Sequence, residues 1–464
     1  MYLPIKFLSA VVFFLCFTLV ACNGKKVTNE GYVIEKIAEE DEKIQDEISS
    51  IIKEAGSNNY KIDSTVLNYY PVVKNYYEHT EYVPIWSSKK KWNVAAIGLV
   101  NYVRNASLQG LYSSDYNFNK IQQLKKILDA DSLKNSTQTM WANADVLMTD
   151  AYIGLLKDLK QGRLQSDSFS WKYDTSKYNK YFGAHLEKLK QFPNNIDSLL
   201  EIVQPKHEGY RLLKKGIKKF VDSMDTRTYT YVTYPYKDSL AFIKSLKKRL
   251  AEAGVEIPTN FDSLALNDAL KNYQRNAGLT IDGKVGAGVV KKLNINDKQR
   301  FNIIAITLDK YKQLPEKMPE KYIWVNLPAY YLKVFENDTM AFESRVIVGK
   351  PNTQTPLITS AISDIVLYPT WTVPTSIIAK DMLPGLKRNP SYLARRGLYL
   401  LNGKGKKIDP YNINWDRYTK GIPYRIQQGS GNSNALGVLK FNFDNPDAVY
   451  LHDRSEERRV GKEC

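Results

Sequence analysis

The chain has few cysteines, few histidines and no apolar run long enough to notice beyond its N-terminus. Its three cysteines, Cys16, Cys22 and Cys464, stand at the two ends of 464 residues, so no disulfide framework can cross the body. The four histidines, His79, His185, His207 and His452, lie far apart and at no ligand spacing with cysteines or carboxylates, so no metal site is readable and no cofactor is expected. Acidic residues are outnumbered, 49 against 66 Lys and Arg, for a net charge of +17. The length is too great for one core and implies about two to four compact units.

What is present at the N-terminus is an export signal. Lys6 is followed by an apolar run from Phe7 to Val20 that ends in small residues. Leu19-Val20-Ala21-Cys22 resembles a lipobox, which implies that residues 1–21 are cleaved and that Cys22 becomes the lipidated first residue. A transmembrane anchor is the weaker reading, because the run is short for a bilayer span and the polar Asn23-Gly24-Lys25-Lys26 follows at once. The expected location is periplasmic, with a lipid anchor to a membrane of the cell envelope. In that compartment the positive charge argues for anionic wall material or lipid head groups rather than nucleic acid. Lys and Arg are spread along the chain, so simple solubility is an equal reading of the charge.

Residues 22–59 read as a tether and first helix: Ile34, Ile37, Ile44, Ile48 and Ile51 recur at helical spacing up to Gly56. Residues 60–225 read as a helical scaffold without catalytic residues, clearest where Trp141, Ala144, Leu147, Ala151, Leu155 and Leu159 precede Gly162. A smaller helical unit is predicted at 238–294, with Ile243, Leu246 and Leu250 on one stripe and Leu266, Leu270 and Tyr273 on a second. After Arg300 the composition shifts toward strands. Tyr322 to Leu327, Tyr331 to Phe335, Phe342 to Val348, Ile362 to Leu367 and Leu436 to Phe443 are the expected strands, with a hairpin turn at Asn337-Asp338. Between them the Pro- and Gly-punctuated stretch of about 375–433 is too long for an ordinary loop and reads as a lid, a binding segment or disorder.

Two resemblances give these units a chemistry. Leu270, Tyr273-Gln274, Gly278-Leu279, Asp282-Gly283, Val285-Gly286 and Leu293 make 238–294 resemble a peptidoglycan-binding module of three helices. A plain three-helix packing unit would keep the same pattern. Residues 320–453 resemble the catalytic domain of the L,D-transpeptidase family, in its large Gram-negative form with a scaffold and a binding module in front. The carrying residues are Val325 to Tyr330, Arg345 to Pro351, Gln354-Thr355-Pro356, Pro369 to Pro374, Asn434-Ala435-Leu436-Gly437 and Tyr450-Leu451-His452-Asp453. The implied architecture is a multidomain α+β protein: a helical scaffold, a wall-binding module and a mostly β catalytic domain.

The implied reaction is acyl transfer through a cysteine thiolate, which takes a peptide stem as a thioester and passes it to an amine of a neighbouring stem as a 3-3 cross-link. The partners are therefore peptidoglycan stems and glycan. His452 matches the family's motif histidine and is carried over as general base; a buried strand-end histidine is the alternative. Asp453 is assigned to orient it through the backbone carbonyl, or else is a turn residue. Tyr450, two positions earlier, would line the donor pocket or pack in the core. Lys387, Arg388, Arg395, Arg396 and Trp415 fall in what resembles the family's capping segment, although a charge run is more often a solvated face.

The family's nucleophile sits in Ser-His-Gly-Cys or Ser-Ser-Gly-Cys, and no such segment follows His452. Cys464 lacks the Ser and Gly before it and is rejected as nucleophile, so this copy is expected to be truncated, without its catalytic cysteine, and inactive. Residues 454–464 resemble a translated sequencing adaptor, an abruptly charged tail rather than native sequence. Two alternatives stand beside the transpeptidase: a non-catalytic wall-binding or scaffold protein, and a hydrolase on the same fold.

Overall fold

A computed structural model describes residues 25–28, 32–35, 37–130, 137–164, 175–257, 263–350, 352–431 and 433–453. The expected signal peptide at 1–21, Cys16, Cys22 and the expected tail 454–464 lie outside the described residues. The chain divides into two units, Met1–Met318 and Pro319–Cys464.

The first unit is helical. Three short hairpins, β1 (Lys25–Val27) with β2 (Val33–Glu35), β3 (Lys61–Ile62) with β4 (Thr65–Val66) and β5 (Ser87–Ser88) with β6 (Lys91–Trp92), punctuate its helices. The scaffold helices are α1 (Glu39–Ser57), α2 (Tyr70–His79), α3 (Val94–Arg104), α4 (Phe118–Asp129), α5 (Gln138–Gln161), α6 (Thr175–Gln191), α7 (Ile196–Glu201) and α8 (Glu208–Asp222). Ile34 and Ile37 precede α1, so the isoleucine repeat overstates that helix at its start: Ile34 pairs in β2, while Ile44, Ile48 and Ile51 are buried as expected. Helix α5 is the hub, with α1, α2, α3 and α4 against it. Its Thr137 caps the N-terminus by accepting from the Met140 N–H, and its run from Val146 to Leu156 is buried on every face.

Burying every face of α5 also buries carboxylates, and each is given donors. Asp145 accepts from the Tyr77 hydroxyl at 2.5 Å and from the N–H groups of Ile85 and Trp86 at 3.0 and 2.9 Å. Asp150 accepts from the N–H groups of Tyr69 and Asn68 at 2.7 and 3.2 Å. Burial pushes these acids up, to about 6 for Asp145 and about 7 for Asp150, while the hydrogen bonds pull the other way.

Helices α9 (Ser239–Glu252), α10 (Ser263–Asn276) and α11 (Ala287–Asn294) form the small module around Leu246, Leu250, Leu270, Val290 and Leu293. Its core also takes in Val232, ahead of the boundary expected at 238. Helix α12 (Asp297–Lys312) then occupies residues where the composition suggested strand. A reciprocal Asn296–Gln299 capping box starts it, and Phe301, Ala305 and Leu308 at helical spacing bury against α8. The strand region therefore begins only at Lys321.

In the second unit β7 (Lys321–Asn326), β8 (Tyr331–Glu336) and β9 (Thr339–Arg345) form an antiparallel meander. Asn337 and Asp338 both take positive φ, 49° and 60°, as a two-residue hairpin loop whose twist matches the strands requires. Strand β9 ends three residues before the expected Val348, after which Val346 makes one more bond to the Tyr330 carbonyl. A second sheet joins β10 (Ile362–Leu367), β15 (Leu439–Phe443) and β16 (Leu451–His452) in that order. Between them the insertion is folded: β11 (Trp371–Thr372), β14 (Arg425–Gln428), β12 (Leu398–Leu401) and β13 (Lys407–Ile408) make a sheet in that order. Short helical turns cover it, and Val373, Ile378, Leu386, Leu393, Leu400, Trp415 and Ile426 close a core of its own.

Candidate active site

Three separate sequence segments meet at the end of β15. Strand β10 leaves through Tyr368, whose N–H donates to the Val438 carbonyl at 2.8 Å, and runs into Pro369-Thr370-Trp371. Asn434 is almost fully buried there; its side-chain amide donates to the carbonyls of Pro369 at 3.0 Å and Gly429 at 2.6 Å, and its oxygen accepts from the Leu436 N–H at 2.7 Å. Gln428 adds a bond from the Ala435 N–H at 2.8 Å. An amide side chain suits this position because it satisfies donors and acceptors in three backbone segments at once.

The Asn434-Ala435-Leu436-Gly437 turn also carries the histidine segment. Gly437 has φ +65°, and a Cβ there would stand 2.8 Å from the carbonyl carbon and oxygen of Asp453, so both the conformation and the close approach require glycine. The Asp453 N–H donates to the Leu439 carbonyl at 2.9 Å, and β16 pairs with β15 so that His452 lies opposite Lys440.

His452 is exposed, and its Nδ1 is 2.7 Å from the Asp453 carbonyl oxygen. A carbonyl only accepts, so Nδ1 donates to it, and in the neutral ring Nε2 is then the nitrogen that can serve as a base. The ring of the half-buried Tyr450 lies 5.9 Å from the imidazole. Burial raises the Tyr450 phenol, and a hydrogen bond with the Trp371 indole works against that rise. The Lys440 ammonium sits 4.1 Å from the centroid of the same ring, a cation–π contact.

His452, Asp453 and Tyr450 are thus brought together, with Lys440, Trp371 and Asn434 around them. Lys440 was not singled out in the sequence, and only the β15–β16 register gives the signal for it. The Arg345 to Lys350 and Gln354 to Pro356 motifs close on each other, through the Gly349 N–H donating to Thr355 Oγ1 at 2.8 Å. In the insertion, Trp415 is a packing anchor, with Nε1 donating to the Pro410 carbonyl at 2.8 Å, and the Arg396 guanidinium stacks 3.9 Å over Tyr392. Cys22 and Cys464 lie outside the described residues. Among the described residues no group of three or more His, Cys, Asp or Glu is placed to hold a metal ion.

The sequence that builds this site, with its histidine held by the Asp453 carbonyl, is similar to known families. Residues 320–462 match the L,D-transpeptidase catalytic domain family. The chain carries an L,D-transpeptidase catalytic domain. Ahead of it, residues 71–217 match a family described as a scaffold domain, and 239–293 one described as "Putative peptidoglycan binding domain". A Haemophilus influenzae protein named "Putative L,D-transpeptidase" is 36% identical over 163 residues, 35% of this chain and 32% of that protein. The chain therefore aligns with about a third of that relative's length. The mixed α+β architecture, with a helical N-terminal region, a wall-binding module and a mostly strand catalytic domain, fits that order of matches.

Proposed function

We propose that the protein is a wall-building L,D-transpeptidase that joins peptidoglycan stems through a cysteine thioester into 3-3 cross-links. The observation that carries this reading is the meeting of the Pro369 to Trp371, Asn434 to Gly437 and Tyr450 to Asp453 motifs around His452, whose Nδ1 is held by the Asp453 carbonyl. In that reading His452 takes the thiol proton, the Asp453 carbonyl holds its tautomer, and Tyr450 lines the donor pocket. The thiolate in this reading comes from a Ser-X-Gly-Cys segment, the motif in which the family carries its nucleophile. The N-terminal Leu19 to Cys22 motif supports a lipid-anchored, periplasmic protein, with the module at 239–293 holding it to the wall.

The test begins by resequencing the gene past the codon for Asp453. If the frame continues into Ser-X-Gly-Cys, the encoded protein should release D-alanine from tetrapeptide stems and yield 3-3 dimers by mass spectrometry. His452→Ala should lower that rate by about a hundredfold or more. Monomeric tripeptide products in place of dimers would make it a hydrolase. A gene that ends at Cys464 would overturn the enzyme reading in favour of a non-catalytic wall-binding protein.

A further inference from the structure

The segment from Tyr229 to Tyr236 precedes the residues matched as the binding module, yet it belongs to the module's core. Val232 is fully buried, and Asn294 clamps its backbone: the Val232 N–H donates to Asn294 Oδ1 at 3.0 Å, and Asn294 Nδ2 donates to the Val232 carbonyl at 2.8 Å. Glu252 accepts from both the N–H and the hydroxyl of Thr230 at 2.8 Å. Between these two fixed residues Tyr231 is left 72% exposed. Farther on, Tyr236 stacks on the buried Phe242 of α9, centroids 4.2 Å apart and planes within 16°. Tyr234 tilts against Tyr236 and Phe242 with centroids 6.5 Å from each, and Tyr234 and Tyr236 stay 40% and 48% exposed.

A strap pinned this way presents much of each ring to water at a standing cost in hydration. The Tyr236 ring is held flat by a second ring behind it, so it loses little freedom when something lies against it. Each tyrosine offers an apolar face and a hydroxyl. A pyranose has the matching form, with C–H groups on its flat face and hydroxyl or N-acetyl groups at its edge. Lys237, exposed and next in sequence to Tyr236, and the exposed Lys244, two residues after Phe242, complement the carboxylates that hang from a wall glycan.

We propose that Tyr231, Tyr234 and Tyr236, backed by Phe242, form the surface on which the module holds a glycan strand of N-acetylated pyranoses. This rests on the wall-binding reading above and adds the place and the chemical part of the wall that is held. The probes are purified peptidoglycan sacculi and soluble glycan strands freed of their stems, offered to the full chain in cosedimentation and titration. Wild type should bind both, and Y234A/Y236A should weaken both by about tenfold or more, while Y234F/Y236F, which keeps the rings, stays near wild type. Unchanged thermal unfolding of Y231A, whose side chain is mostly in water, together with weakened binding, separates contact from misfolding. Binding of sacculi but not of stripped strands, or full binding by Y234A/Y236A, overturns the proposal and leaves the wall-binding reading intact. No binding of sacculi by wild type overturns that reading itself.

Discussion

Leu156 of α5 and Leu367 at the end of β10 are the same side chain in two different circumstances: the first is 0% exposed and the second 66%. The scaffold wraps helices around α5 until even its aspartates are covered. The sheets of the second unit leave Ile365 and Phe342 56% and 58% exposed, although their strands carry the apolar residues a packed face needs. The insertion, read from sequence as a lid, a binding segment or disorder, closes around Leu400, Ile426 and Leu386, each 0% exposed. The lesson is that apolar content does not make a core. A sheet face needs a second layer, and among the described residues the insertion and the scaffold have theirs while β7–β9 and β10 do not.

The largest effect should come from the leucines themselves. Leu156→Ala is expected to cost the scaffold about 2–5 kcal/mol, and Leu367→Ala less than about 0.5 kcal/mol, measured by urea unfolding followed separately for each unit. Equal losses would break the comparison. Asn434→Ala should cost the second unit about 1–3 kcal/mol, because it strands the Pro369 and Gly429 carbonyls and the Leu436 N–H. The His452 imidazole resonance should broaden or move with it.

A pH effect follows for the scaffold. Asp150 is pushed up to about 7 in the fold, from a usual 3.8, so between those values the folded state holds a proton the unfolded chain has lost. Its contribution therefore falls as pH rises through that window. His185, pushed by burial to about 4, acts in reverse and loses stability as pH falls below 6.5. The informative quantity is the difference between wild type and Asp150→Asn: the advantage of wild type should shrink from about pH 4 to pH 7, and a flat difference would contradict the burial argument. The smallest effect on stability belongs to the sheet faces. Phe342→Ser with Ile365→Ser should leave unfolding nearly unchanged while clearly lowering the fluorescence of a dye that binds exposed apolar surface.

Much of the fold was legible from local pattern. The α5 stripe, the module's two stripes and the Asn337-Asp338 turn rest on spacing and φ preference, which neighbouring residues fix among themselves. The α12 segment was misread because composition was weighed over its Asn296–Gln299 capping box and its Phe301, Ala305 and Leu308 spacing. At the candidate site, the sequence supplied His452, Asp453 and Tyr450 as a motif. It could not supply Lys440, because no local rule brings a strand's lysine opposite a histidine twelve residues later.

The sequence by itself determined which segments are helical or extended, which motif carries the histidine, and that few cysteines and histidines leave no disulfide or metal framework to read. Tertiary structure alone decided that Asn434 ties three backbone segments together, that Lys440 lies opposite His452, and that one set of leucines is buried while another faces water. The physical reason is range. Propensity and periodicity act within a few residues, whereas burial, register and shared hydrogen bonds exist only once distant segments have met.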